Sequence, residues 1–241
     1  MGFDLLILIV ALVAGAVAAV TGFGIGSLLT PVLALQVDTR LAVAAVSVPH
    51  VVGTALRLWL LRAGVERRVF WNFGLTSAAG GLTGALLHGT ASNRWLTVVF
   101  GALLLFAAAS EVTGLAQRMR FRGPVAWIAG AFSGLLGGLV GNQGGIRSAA
   151  LLGFDLSKQT FVGTATAIGL MVDAARMPVY LATQHEGIAI LWPRVTLATI
   201  GVMIGTVVGS RVLVGIPERW FRGVLAFILA VLGGAMLVRG M

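Results

Sequence analysis

One pattern constrains this chain above all others: a long apolar stretch broken at its middle by glycines, and written twice. The first copy is AGAVAAVTGFGIGSLLTPVLAL, residues 14–35, and the second is SGLLGGLVGNQGGIRSAALLGF, residues 133–154. A shift of 119 residues lays Gly15 on Gly134, Gly22 on Gly141, Gly26 on Gly145 and Leu33 on Leu152. The same shift pairs Val43 with Val162, Ser47 with Thr166 and Arg57 with Arg176. A shift of 121 pairs Trp71 with Trp192, Gly80 with Gly201 and Gly84 with Gly205, and one of 125 pairs Arg94-Trp95 with Arg219-Trp220. Apolar segments interrupted at corresponding places in two halves point to a binding site built from broken membrane helices.

The solvent of this chain is lipid. Hydrophobic residues make up 58% of it and charged residues 10%, too little polar surface to cover a water-soluble fold. Apolar runs such as 5–20, 95–110 and 223–238 approach or reach the length of a bilayer core. The start, MGFDLLILIV, lacks the basic region of a signal peptide and reads as the first membrane segment. With no cysteine, disulfides and thiolate metal sites are excluded. The net charge of +9 comes from arginines in short loops, which fits an anionic cytoplasmic leaflet better than nucleic acid.

Eight apolar segments follow one another, at 3–35, 41–61, 69–88, 95–112, 124–154, 159–182, 189–209 and 219–239. The first and fifth are about thirty residues long, where about twenty suffice to span. Each is either one kinked helix or a re-entrant hairpin of two half-helices. Basic residues accumulate on the cytoplasmic side and arbitrate between the two. Eight full spans divide fourteen loop cations eight against six. Re-entrant first and fifth segments instead collect Arg62, Arg67, Arg68, Arg118, Arg120, Arg122, Lys158, Arg211, Arg219 and Arg222 on one side. Only Arg40, Arg94, Arg194 and Arg239 remain opposite. The expectation is therefore an all-α, polytopic integral membrane protein with two inverted repeats, 1–118 and 119–241. Each repeat is a broken, re-entrant first segment plus three transmembrane helices, and both termini lie on the non-cytoplasmic side.

A helix interrupted within a membrane leaves backbone groups unpaired, tolerated only beside protein or a water-filled cavity. The start of the returning half-helix carries partial positive charge and free N–H groups. Thr21, Gly22, Gly24, Gly26 and Ser27 at the first break thus read as an anion cradle. Gly141, Asn142, Gln143, Gly144, Gly145, Arg147 and Ser148 at the second read as its partner. The plainer alternative, close helix packing by small residues, suits Gly80, Gly84, Gly201 and Gly205 better. Arg147 has Leu28 as its counterpart, so symmetry does not demand it; an arginine at this depth signals oxyanion recognition, with a structural ion pair or a loop position as the plainer alternative.

Further pathway or coupling candidates are Ser47, His50, Arg57, Thr166, Asp173 and Arg176. Arg57 and Arg176 lie near segment ends, within reach of snorkelling outward. Asp173 stands three residues before Arg176, where facing side chains neutralise one another. His50 titrates near neutral pH and is the candidate proton-coupling group, with a buried neutral histidine as the plainer alternative. His88 and His185, at segment ends, read as interface residues. No Gly-Lys-Ser/Thr phosphate loop and no His-Glu-x-x-His motif occurs, so an enzyme, a cofactor and a metal site are not expected.

The paired breaks, the G-N-Q-G-G-I-R-S-A-A-L-L run, and G-T-x-x-G-S-R followed by P-E-R-W at 205–220 resemble the TauE/SafE sulfite-exporter family over essentially the whole chain. The resemblance implies a bacterial inner-membrane transporter, generally an exporter, of sulfur-containing oxyanions or organosulfonates. The family's usual second break is richer in glycine; here Asn142-Gln143 interrupts it and Arg147 follows. The expected partners are a small anion and the lipid bilayer. A passive anion channel and a non-transport membrane scaffold stand as the other function classes, and a homo-oligomer stays open.

Overall fold

The computed structural model describes residues 2–61, 64–119, 121, 123–142, 144–212 and 218–241, and its described elements are helices. The first half contributes α1 (Gly2–Thr21), α2 (Ile25–Leu33), α3 (Thr39–Leu61), α4 (Arg67–Thr90) and α5 (Asn93–Thr113). The short α6 (Leu115–Arg118) leads to the second half. That half contributes α7 (Pro124–Val140), α8 (Gly144–Leu151), α9 (Lys158–Ile190), α10 (Trp192–Val212) and α11 (Glu218–Gly240). All eight expected segments are helical, and the first and fifth are each split in two.

The splits fall on the glycine clusters for a backbone reason. The amide of Gly22 closes the last turn of α1 on Ala18 O at 3.0 Å, and that of Gly141 closes α7 on Gly137 O at 2.9 Å. Both glycines then turn left-handed, with φ of 82° and 73°, a conformation that costs other residues about 1–2 kcal/mol. The helix cannot continue through such a residue, and the chain reverses into α2 or α8.

Contacts along the helices fix their senses. Asp4 meets Arg194, Gly15 meets Val202, and Gly209 packs on Ala16, so α1 and α10 run parallel. Gly53 also touches Val202, while Ala45 and Pro49 share one apolar crevice with Arg194 and Ala198, so α3 runs the same way. In the other half Gly134 packs on Ser77 and Gly138 on Gly81, making α4 and α7 parallel. Gly74 on Ile168 and Gly89 on Thr183 add α9 to that group. Across the halves α3 opposes α9, with His50 at Asp173 and Arg57 at Thr166. Likewise α5 opposes α11, with Arg94 at Gly240 and Arg222 at Glu111. Each helix is thus antiparallel to its counterpart 119–125 residues later, which is an inverted repeat. Because α1 and α3 share one sense, α2 must return the chain to the side from which α1 started. That is the re-entrant arrangement.

The hairpins differ from two matched half-helices. Their outgoing arms are nearly full length, 20 residues in α1 and 17 in α7, whereas the returning arms have nine in α2 and eight in α8. Every residue of α2 is buried, as a short helix surrounded by broken backbone requires. Glycine carries the helix pairing. A Cβ at Gly80, Gly84, Gly134 or Gly138 would overlap the backbone across the α4–α7 contact. Gly15, Gly205 and Gly209 play the same part between α1 and α10.

Five helices (α1, α3, α5, α10 and α11) are long and apolar enough to cross a bilayer. Helices α4 and α9, with 24 and 33 residues, are long enough but less apolar. All six tryptophans lie near helix ends and are at least 50% exposed: Trp59, Trp71, Trp95, Trp127, Trp192 and Trp220. That is the placement of side chains seated at a membrane–water interface. The protein is a multi-pass membrane protein.

Candidate functional site

Breaking a helix leaves carbonyls at its C-terminal end without intrahelical partners. At both breaks an arginine donates to a carbonyl of the last turn, beside the closing glycine amide. Arg57 Nη1 donates to Ala18 O at 2.7 Å, and Arg176 Nη1 donates to Gly137 O at 2.6 Å. Ala18 and Gly137 are themselves 119 residues apart, so one capping contact is repeated. A cation at a helix C-terminus also opposes the negative end of the macrodipole. Both guanidiniums therefore turn inward, only 3% and 2% exposed, and neither snorkels to an interface. Each guanidinium is held inside by a carbonyl that also closes the last turn of the helix it caps.

The two breaks then press against each other. A Cβ on Gly26 would lie 2.5 Å from Gly141 O, and one on Gly144 would overlap Phe23. Ser27 Oγ donates to Asn142 Oδ1 at 3.3 Å, joining the start of α2 to the second break. Arg147, in the first turns of α8, reaches Gly22 O with Nη2 at 3.4 Å. Arg57 Nη2 donates to the same carbonyl at 3.2 Å, and Arg57 Nε donates to Thr166 Oγ1 at 2.8 Å. Two guanidiniums thus converge on one backbone oxygen at the first break.

At the second break the neighbouring charge is cancelled. Asp173 Oδ1 accepts from Arg176 Nε at 2.9 Å and lies 2.7 Å from Arg176 Nη2. His50 Nδ1 lies 2.7 Å from Asp173 Oδ2. The Asp173–Arg176 pair expected from the spacing is present, and His50 is tied to it from α3.

The other candidates have more local roles. Thr21 Oγ1 lies 3.0 Å from Val17 O and 2.7 Å from Phe23 O, two acceptors within reach of its one proton, and shapes the turn. Gly24 is the N-cap of α2 with φ 129°. Ser47 Oγ donates to Ala44 O at 2.5 Å within its own helix and contacts Met177 Sδ at 3.1 Å. Gly145 and Ser148 lie in α8, and Gln143 lies outside the described residues. His185 is exposed, as an interface residue should be. His88 is not: it is fully buried, with Nδ1 2.8 Å from Leu139 O and its ring beside Tyr180.

Among the described residues the buried charged side chains are Arg57, Arg147, Arg176 and Asp173, three positive against one negative. Several buried donors there find no hydrogen-bond partner among the described residues: Nε and Nη1 of Arg147, and Nδ2 of Asn142. A buried charge left unpaired costs several kcal/mol, and a buried unsatisfied donor about 1–3 kcal/mol. Such an arrangement complements a small anion with oxygen acceptors. No trio of His, Asp or Glu side chains is placed to hold a metal ion among the described residues.

Thr54 escaped the sequence reading. It is 1% exposed on α3, one turn before Arg57, and its Oγ1 has no partner among the described residues. The signal was present, because the 119-residue shift lays Thr54 on Asp173.

No curated protein and no solved structure matches the chain. A family model does, that of the sulfite exporter TauE/SafE, over residues 7–236. The match spans both broken hairpins, both capping arginines and the buried cluster between them, and the chain belongs to the sulfite exporter TauE/SafE family of membrane transporters.

Proposed function

We propose that this protein is a secondary transporter that moves a small oxyanion outward across the inner membrane. Sulfite, an organosulfonate or a related carboxylate is the substrate class. The observation that carries this reading is the excess of buried positive charge at the meeting point of the two breaks, with Arg147 and Asn142 donors unengaged among the described residues. The N-termini of α2 and α8, Ser27, Asn142, Arg57 and Arg147 form the binding surface, while Thr166 positions Arg57. Repeats 1–118 and 119–241 rock against each other around this site, exposing it alternately to the two sides. Both termini face away from the cytoplasm, in keeping with the ten-to-four division of loop cations.

Direction follows from electrostatics. With the cell interior negative, outward movement of an anion gains roughly 2.3 kcal/mol per charge per 100 mV. Export therefore proceeds without an obligatory proton, and the His50–Asp173 contact serves to hold structure. The test is flux from proteoliposomes loaded with sulfite, thiosulfate, sulfoacetate, taurine or acetate under an imposed potential. Saturable, potential-driven loss of at least one anion is expected. Flux no greater than from empty liposomes for the whole panel would refute transport, and unitary currents would replace the transporter with a channel.

A further inference from the structure

The two halves carry one frame with different chemistry at three positions, and the 119-residue shift identifies them. Arg57 corresponds to Arg176, Thr54 to Asp173, Gly169 to His50, and Leu28 to Arg147. In the second half the frame is filled from within the protein. The Asp173 carboxylate sits between Arg176 of its own helix and His50 of the opposing one. In the first half the arginine stays, capping α1 as Arg176 caps α7, but the carboxylate is replaced by the Thr54 hydroxyl and the imidazole by nothing, at Gly169. The guanidinium of Arg147 moves into the space so released. A Cβ built on Gly169 would lie 2.9 Å from Arg147 Nη1.

The result is two cations, Arg57 and Arg147, sharing Gly22 O. Beside them stand a buried hydroxyl, Thr54 Oγ1, and the Arg147 Nε and Nη1 donors, all without a partner among the described residues. The Asp173 carboxylate of the other half shows what this frame holds: an anionic group with at least two oxygens, bridging an i, i+3 arginine and an imidazole from the facing element. We propose that the transported oxyanion binds in the first half, between Thr54, Arg57 and Arg147, in the place that the Asp173 carboxylate occupies in the second. The placement rests on the transport reading and sharpens it. Substrate supplies the charge that evolution built into one copy and left out of the other. Two uncompensated guanidiniums favour an oxyanion carrying two negative charges, such as sulfite, over a monocarboxylate of similar size.

The test is thermal protection of the purified full-length protein by sulfite, with acetate as the singly charged comparison. Wild type is expected to melt higher in sulfite, with a lower half-maximal concentration for sulfite than for acetate. Thr54→Asp supplies the missing carboxylate, so it should melt above wild type without anion and lose sulfite protection at least about 100-fold. Thr54→Val keeps shape but removes the donor and should weaken sulfite about tenfold, the usual worth of a hydrogen bond to a charged group. Should Thr54→Asp not fold, Thr54→Val decides alone. Wild-type sulfite affinity in either variant overturns the placement and leaves the transport reading standing. A wild-type protein that no anion protects, in liposomes that show no flux, overturns both.

Discussion

The second half-site, around Asp173, and the first, around Thr54, share a backbone frame and part company in charge. At the second, one carboxylate bonds Arg176 through two nitrogens and also holds His50. No buried polar atom of the Asp173 and Arg176 side chains lacks a partner among the described residues, and the half-site acts as an internal clasp between α3 and α9. At the first, Arg57 and Arg147 share a carbonyl oxygen while several donors point into the interior unengaged among the described residues. The difference teaches that duplication and function are separable here. Symmetry built the hairpins, their caps and the packing, whereas departures from symmetry set where an anion binds.

The comparison breaks most decisively at Arg147. Replacing it with Leu introduces the residue found at its counterpart, Leu28, and removes a buried charge. Loss of a desolvated charge contact costs roughly 2–5 kcal/mol, so anion flux in proteoliposomes should fall at least about 100-fold. The melting midpoint without anion should stay at or above that of wild type. Flux within a few-fold of wild type would detach Arg147 from the site.

At the second half-site the expected effect is on folding. Asp173→Ala strands Arg176 as a buried cation, and breaking a buried pair in this way costs about 3–5 kcal/mol. Denaturant or thermal unfolding in detergent reads this directly. A variant as stable as wild type would show that the clasp is not one. The same substitution at Thr54 should leave stability nearly untouched, because no charge there loses its partner.

A smaller effect is expected where the two breaks touch. Gly26→Val would drive a side chain against Gly141 O and push the hairpins apart, a strain of typically 1–3 kcal/mol. Flux should drop along with stability. A fully active variant would mean that the contact between the breaks is dispensable. Least of all should follow from Glu111→Gln, outside both half-sites. Its 3.2 Å pair with Arg222 is partly solvent-exposed, so the change should stay within about 1 kcal/mol and leave flux alone.

Much of this architecture was legible beforehand for physical reasons. Bilayer thickness fixes segment length, so eight apolar stretches became helices at the expected places. Glycines that adopt positive φ marked the breaks at Gly22 and Gly141. The sorting of loop arginines selected re-entrant hairpins, and the shared sense of α1 and α3 agrees. The direction of Arg57 and Arg176 was not legible: their positions near segment ends fit snorkelling equally well, and only the carbonyls of Ala18 and Gly137 pull them inward. His88 misled for the same reason, since a helix end can be buried by a neighbouring helix. Thr54 went unnoticed because a threonine in an apolar run carries no signal until its counterpart is seen to be an aspartate.

The most direct measurement is a structure of the protein with selenite, an oxyanion of the same shape as sulfite whose selenium can be located by its anomalous scattering. The account predicts one selenium peak within hydrogen-bonding range of Thr54, Arg57 and Arg147, its oxygens on the donors that have no partner among the described residues. A peak beside Asp173 and His50 instead, or one remote from all three buried arginines, would contradict it.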